Sequence, residues 1–218
     1  IAAGIAHHRY RASQHQGRTV MRLVIIDSGG ANIASLRYAI DRLGVASELT
    51  TDPDKVRAAT HVILPGVGAA ADCMTRLQRS PGLVDTIRNL RQPMLGICVG
   101  MQLLFESSEE GEVPCIGLLP GRVRRFADRD DLPVPHMGWN QLEFEPGSAL
   151  LKDITPGDHV YFVHSYSAPV SPLTVATSTY GEPFSALVQS GNVFGAQFHP
   201  ERSARIGSLL LRNFIQLQ

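Results

Sequence analysis

The chain has 218 residues, 44% of them hydrophobic and 18% charged, with 20 Lys and Arg against 20 Asp and Glu. That is enough for one soluble domain with a real core, and a formal net charge of zero lacks the basic excess of a nucleic-acid or anionic-membrane binder, so neither partner is expected. No apolar run approaches the roughly 20 residues that span a bilayer.

Residues 1–20 stand apart, with Arg9, Arg11 and Arg18, three histidines and no acid, leaving 17 basic against 20 acidic residues in the remainder. The domain is expected to run over 21–218. The extension at 1–20 reads either as residues upstream of the native start or as an Arg-rich, acid-poor transit segment. Cys73, Cys98 and Cys115 form no C-x-x-C pair, which suggests neither a disulfide framework nor a metal site and fits a reducing cytoplasm. Neither Lys55 nor Lys152 sits in the G-K-[ST] ending of a P-loop, which excludes ATP bound that way; no cofactor and no metal are expected.

Short apolar runs alternate with segments of helical period through the first half: a strand at 23–26, a helix near 32–43, strands at 45–49 and 62–64, helices within 70–91, and a strand at 94–97 that leads into helical character over 101–105. This rhythm predicts an α/β fold, a single domain with a largely parallel central sheet flanked by helices. After about residue 113 the pattern changes to hairpin-like strands at 122–126, 136–144, 160–166, 174–180 and 185–189, the last joined through Gly191-Asn192 to 193–198. A helix at 206–216 closes the chain, so an antiparallel extension on a flavodoxin-like core is expected.

Three segments carry chemistry. The strand at 62–64 runs into Pro65-Gly66-Val67-Gly68, small residues whose backbone N–H groups can approach a ligand and stabilise an oxyanion. The same letters fit a dinucleotide fingerprint, but the acid expected about 20 positions later at a strand end is replaced by Cys98. Gly96-Ile97-Cys98-Val99-Gly100 is G-x-C-x-G at a strand-to-helix elbow, where small residues on either side let a nucleophile project from a tight turn, and the Val99 N–H can join the oxyanion donors. A helix dipole favours a thiolate by about 0.3–1 kcal/mol, whereas lowering a thiol from about 8.5 to about 7 takes roughly 2 kcal/mol, so a cationic partner is required. His199-Pro200-Glu201 supplies one: proline keeps His199 extended, and i, i+2 alternation sets the Glu201 carboxylate beside the ring. Cys73 and Cys115 lack such surroundings and are expected to be structural.

Together with His136-Met137-Gly138-Trp139-Asn140 and Tyr161-Phe162-Val163-His164-Ser165-Tyr166, these motifs make the chain from Met21 onward resemble the class I glutamine amidotransferases, and among them the glutaminase subunits of imidazole glycerol phosphate synthases. The resemblance implies that Cys98 attacks the side-chain amide of L-glutamine, that His199 carries the proton and that Glu201 holds His199. It implies that Gln102 and Glu110, with backbone at Gly66, Val67, Gly68 and at His164, Ser165 and Tyr166, bind glutamine. It also implies that ammonia passes to a (β/α)8-barrel cyclase in a heterodimer, with Asn32, Trp139, Tyr161 and Arg202 at the interface. Ser28 stands where the family commonly has an aromatic, and Arg202 where lysine is usual. A glutaminase serving anthranilate, guanylate or pyridoxal phosphate synthesis, or a non-catalytic binding module of the same fold, are the alternatives.

Overall fold

The computed structural model describes residues 21–29 and 32–218; the expected extension at 1–20 lies outside the described residues. The chain begins with β1 (Leu23–Ile26), α1 (Ile33–Asp41), β2 (Ser47–Thr50), α2 (Pro53–Ala58), β3 (His61–Gly66), α3 (Ala70–Gln78), α4 (Leu83–Arg88), β4 (Met94–Cys98) and α5 (Val99–Gln102). It continues with β5 (Phe105–Ser108), β6 (Val113–Pro114), β7 (Leu119–Arg125), β8 (His136–Gln141), β9 (His159–His164), β10 (Tyr166–Ser167), β11 (Thr174–Tyr180), β12 (Glu182–Ser190), β13 (Val193–Ala196) and α6 (Ala204–Ile215).

The central sheet has seven strands in the order β11-β12-β13-β4-β3-β1-β2. Its parallel part, β13-β4-β3-β1-β2, is covered on both faces, which is why β1, β3 and β4 read as unbroken apolar runs and are buried at every position. The antiparallel extension is attached through β13, which pairs antiparallel with β12 across the Gly191-Asn192 turn and parallel with β4. A second sheet, β10-β7-β5-β6, and the two-stranded ribbon β8-β9 pack beside this core. Leu210, Leu211 and Phe214 of α6 are fully buried, and Asn213 donates to the Leu150 and Lys152 carbonyls, fixing the helix against the preceding loop.

Two expectations need correction. Helix α5 is a single turn that ends at Gln102, and Phe105 already belongs to β5, because the chain must double back to pair β5 with β7. Periodicity does not predict helix α2; it starts on a local cap, the Asp52 carboxylate accepting from the Asp54 N–H at 2.9 Å, with Pro53 in the first turn. Among the described residues no helix is long and apolar enough to cross a membrane.

Candidate active site

Strand order brings the site together. β4 lies between β3 and β13, all three parallel, with Gly66 opposite Cys98 and Ala196 opposite Ile97. Cys98 at the end of β4 and His199 just past the end of β13 therefore leave the sheet side by side, at the carboxyl ends of the strands, where open α/β sheets place their ligands.

The chain turns from β4 into α5 at Cys98 itself, with φ 53° and ψ −115°. Such a conformation costs a non-glycine residue on the order of 1–3 kcal/mol. Glycines close the turn: a Cβ on Gly100 would stand 1.9 Å from the Leu64 carbonyl oxygen, one on Gly96 2.7 Å from the Gly100 oxygen, and one on Gly66 2.6 Å from the Gly100 nitrogen. The G-x-C-x-G spacing is thus a steric requirement of backbones in contact.

His199 is extended, φ −97° and ψ 100°, as the following proline demands. Glu201 reaches it by a route other than strand alternation. Pro200–Arg202 form a 3₁₀ turn, since proline suits a helical first position, and this turn carries the carboxylate back to the ring. His199 Nδ1 donates to Glu201 Oε1 at 2.8 Å, with both side chains buried. The Asn32 amide donates to the same carboxylate oxygen.

With Nδ1 engaged, Nε2 is the ring nitrogen left to face Cys98, which lines the same cavity. Burial alone drives His199 toward neutrality, but hydrogen bonds and charge at the Cys98 sulfur and the Glu201 carboxylate outweigh it and hold the ring up to about 10.

Cys98 and His199 open on a cavity of about 580 Å³. Its wall includes Val67, Gly68, Val99, Gln102, Glu110, His164, Ser165 and Tyr166, so the structure gathers these residues as expected from their motifs. Gly66 is not among them; it lies behind the wall in β3 and lines a separate small void with Glu201. The Glu110 carboxylate accepts from the Ala70 N–H at 2.8 Å and pins the start of α3 just after the glycine turn, and burial raises it above the usual carboxylate range. A larger hollow of about 950 Å³, near His61 and the C-terminal residues, is lined by no cysteine.

Beside the cavity mouth, Trp139 is 53% exposed and Met137 66%. The Trp139 and Tyr161 rings meet edge to face with centroids 6.0 Å apart, and the Arg202 guanidinium lies 4.6 Å above the Tyr161 ring. Asn32 lines the cavity together with Arg202, and its amide donates to Glu201. Cys73 and Cys115 are buried, and burial pushes the Cys115 thiol up to about 11.

Two further residues act at the site. Gln197 is fully buried: its Oε1 accepts from Gln102 Nε2 at 3.0 Å, and its own Nε2 lies 3.9 Å from the Cys98 sulfur. A polar side chain within the apolar run 193–198 was the available signal. Ser28, which stands where the family commonly has an aromatic, donates to the Pro65 carbonyl at 2.6 Å and ties down the start of the glycine turn.

A thiol on a strained elbow and a buried His–Glu pair opening on the same cavity are the parts that nucleophilic cysteine chemistry needs. The family model for class I glutamine amidotransferases matches residues 24–217, and the chain belongs to that family. It is 51% identical over 195 residues to the imidazole glycerol phosphate synthase subunit HisH of Xylella fastidiosa, covering 89% of this chain and 97% of that protein. It is 53% identical, with the same coverage, to the protein of that name from Xanthomonas axonopodis pv. citri. Among solved structures, a glutamine amidotransferase superposes with TM-score 0.69 at 20% identity, covering 89% of this chain and 97% of the other. PurLQS from Thermotoga maritima does so with TM-score 0.63 at 19% identity and the same coverage. These two likenesses concern the fold.

Proposed function

We propose that this chain is the glutamine-hydrolysing subunit of an imidazole glycerol phosphate synthase, with Cys98, His199 and Glu201 as its catalytic residues. The observation that carries this reading is the single cavity in which the Cys98 sulfur meets a His199 ring held by Glu201, in a chain about half identical to proteins of that name. The Cys98 sulfur, its proton on His199, attacks the carboxamide carbon of L-glutamine. The resulting oxyanion is stabilised by backbone N–H groups at the 66–68 turn and at Val99. Collapse breaks the C–N bond as the charged His199 protonates the departing nitrogen, releasing ammonia and leaving a γ-glutamyl thioester. Water, deprotonated by the now neutral ring, attacks the thioester carbon, expels the sulfur and yields glutamate.

Gln102, Glu110, and the wall at 163–166 supply the polar groups for the glutamine α-amino and α-carboxyl ends. The exposed rim of Met137, Trp139, Tyr161 and Arg202 suits docking of a cyclase of (β/α)8-barrel form over the cavity, which passes ammonia on before bulk water protonates it.

The test mixes the purified chain with the cyclase, its phosphoribulosyl nucleotide and glutamine. Glutamine-dependent formation of imidazole glycerol phosphate is expected, with Cys98→Ala abolishing the glutamine-dependent rate and sparing the rate with added ammonium. Unchanged glutamine turnover by Cys98→Ala, or glutamine dependence conferred only on an anthranilate, guanylate or pyridoxal phosphate synthase, overturns the reading.

A further inference from the structure

The cavity wall at 163–166 is held from behind by a chain of hydrogen bonds whose direction follows from its two ends. At one end, His164 Nδ1 lies 2.8 Å from the Tyr166 carbonyl oxygen, which can only accept, so this nitrogen carries the hydrogen. At the other end, the Asn140 amide is oriented by two bonds of its own: Oδ1 accepts from the Gln141 N–H at 2.8 Å and Nδ2 donates to the Thr179 carbonyl at 2.9 Å. Asn140 Nδ2 therefore also presents a hydrogen to His136 Nε2, 3.3 Å away, and that nitrogen must be bare. His136 then has its hydrogen on Nδ1 and donates it to His164 Nε2 at 3.0 Å. Both ends dictate the same pattern of two neutral Nδ1–H rings, with no site for an added proton.

We infer that His136, which lines no part of the cavity, is a positioning residue for glutamine binding: it acts through His164 to hold the Tyr166 carbonyl and the wall around it against the nucleophile elbow. This deepens the proposed function and rests on it. The Tyr166 carbonyl is the junction, since it also accepts from Gln102 Nε2 at 2.8 Å, and Gln102 is bonded in turn to Gln197 beside Cys98. Without the His136 hydrogen, His164 Nε2 is a buried acceptor with no donor, and its ring is free to rotate away from Tyr166. The surroundings leave the pair no compensating partner: His136 stacks between Tyr180 and Phe162, with centroids 4.1 and 5.0 Å away, and Phe126 and Phe184 close the sides. Burial among these rings lowers His136 to about 4 and His164 to about 3, in keeping with two neutral imidazoles.

The test has two independent readouts. Long-range 1H–15N spectra of the full chain with 15N-histidine at pH 7 are expected to show both rings protonated on Nδ1 with bare Nε2; an Nε2–H or charged form at either ring overturns the assignment. In glutamine turnover by the reconstituted complex, His136→Phe, which keeps the ring stack and removes the donor, is expected to raise KM about tenfold with little change in kcat, the size of one lost buried hydrogen bond. His136→Asn, which sets an amide nitrogen near the place of Nδ1, is expected to restore most of the loss. An unchanged KM in His136→Phe overturns the role, as does a fall in kcat alone. A wild-type complex unable to use glutamine is a failure of the proposed function instead, and the spectra still decide the hydrogen-bond pattern. Should His136→Phe not fold, the near-isosteric Asn140→Asp decides by spectrum: its carboxylate is expected to draw a proton onto His136 Nε2, and a bare Nε2 there overturns the wiring.

Discussion

His199 and the His136–His164 pair are buried to nearly the same degree, 3% exposed against 3% and 6%, yet their pKa values are driven in opposite directions. His199 sits past the end of a central strand with a carboxylate at 2.8 Å, shares its cavity with Cys98, and is raised. The pair sits on the β8-β9 ribbon bonded to a neutral amide and a carbonyl among aromatic faces, with no carboxylate among its bonded partners, and burial, helped at His164 by the charge of His199, pushes it down. Equal burial with opposite outcomes shows that depth lowers all three rings and that a carboxylate partner is what reverses it at His199, leaving the other two rings with a geometry to keep.

The sharpest way to break this contrast is to remove the raised ring. His199→Gln is expected to lower glutamine turnover in the complex by roughly 10²–10⁴-fold, the range for loss of a positioned acid and base, measured as released glutamate. Glu201→Gln keeps a hydrogen-bond acceptor but withdraws the charge, and a smaller loss, on the order of 10²-fold in kcat, is expected from the same assay. A smaller and opposite pair of effects concerns stability against pH. His199 is raised above its ordinary 6.5, so its contribution is fully present below pH 6.5 and is lost as pH rises through about 10. His136 and His164 are lowered, so unfolding takes up protons below pH 6.5 and their contribution is lost as pH falls toward about 4 and about 3. Thermal midpoints across pH should therefore decline on both sides of neutrality, with His199→Gln flattening the alkaline limb and His136→Phe the acid limb.

What could be read from the sequence divides along the same line. The elbow and H-P-E declare themselves because their residues are close in the chain and their spacing follows from local backbone sterics, as Gly96 and Gly100 illustrate against Leu64 and Met101. The parallel core was legible for a similar reason, since β1, β3 and β4 are buried at every position and each carries an apolar run. The His136–His164 pairing, the Gln197 amide between Gln102 and Cys98, and the inward turn of Asn32 depend on strand register and on side-chain direction, which local pattern does not encode. Helix α2 escaped because six residues are too few for a period to emerge, and its cap alone marks it.

The positive φ of Cys98 has a consequence for durability. At most positions glycine is less stabilising than alanine by about 0.5–1 kcal/mol, through chain entropy. At this elbow the order should invert, because glycine alone occupies such a conformation without strain: Cys98→Gly is expected to melt above Cys98→Ala, by about 1 kcal/mol or more in free energy. Neither is expected to turn over glutamine, so selection for heat tolerance acting at this position would discard the proposed nucleophile, and a chain that keeps it stays a little less robust than its own scaffold allows.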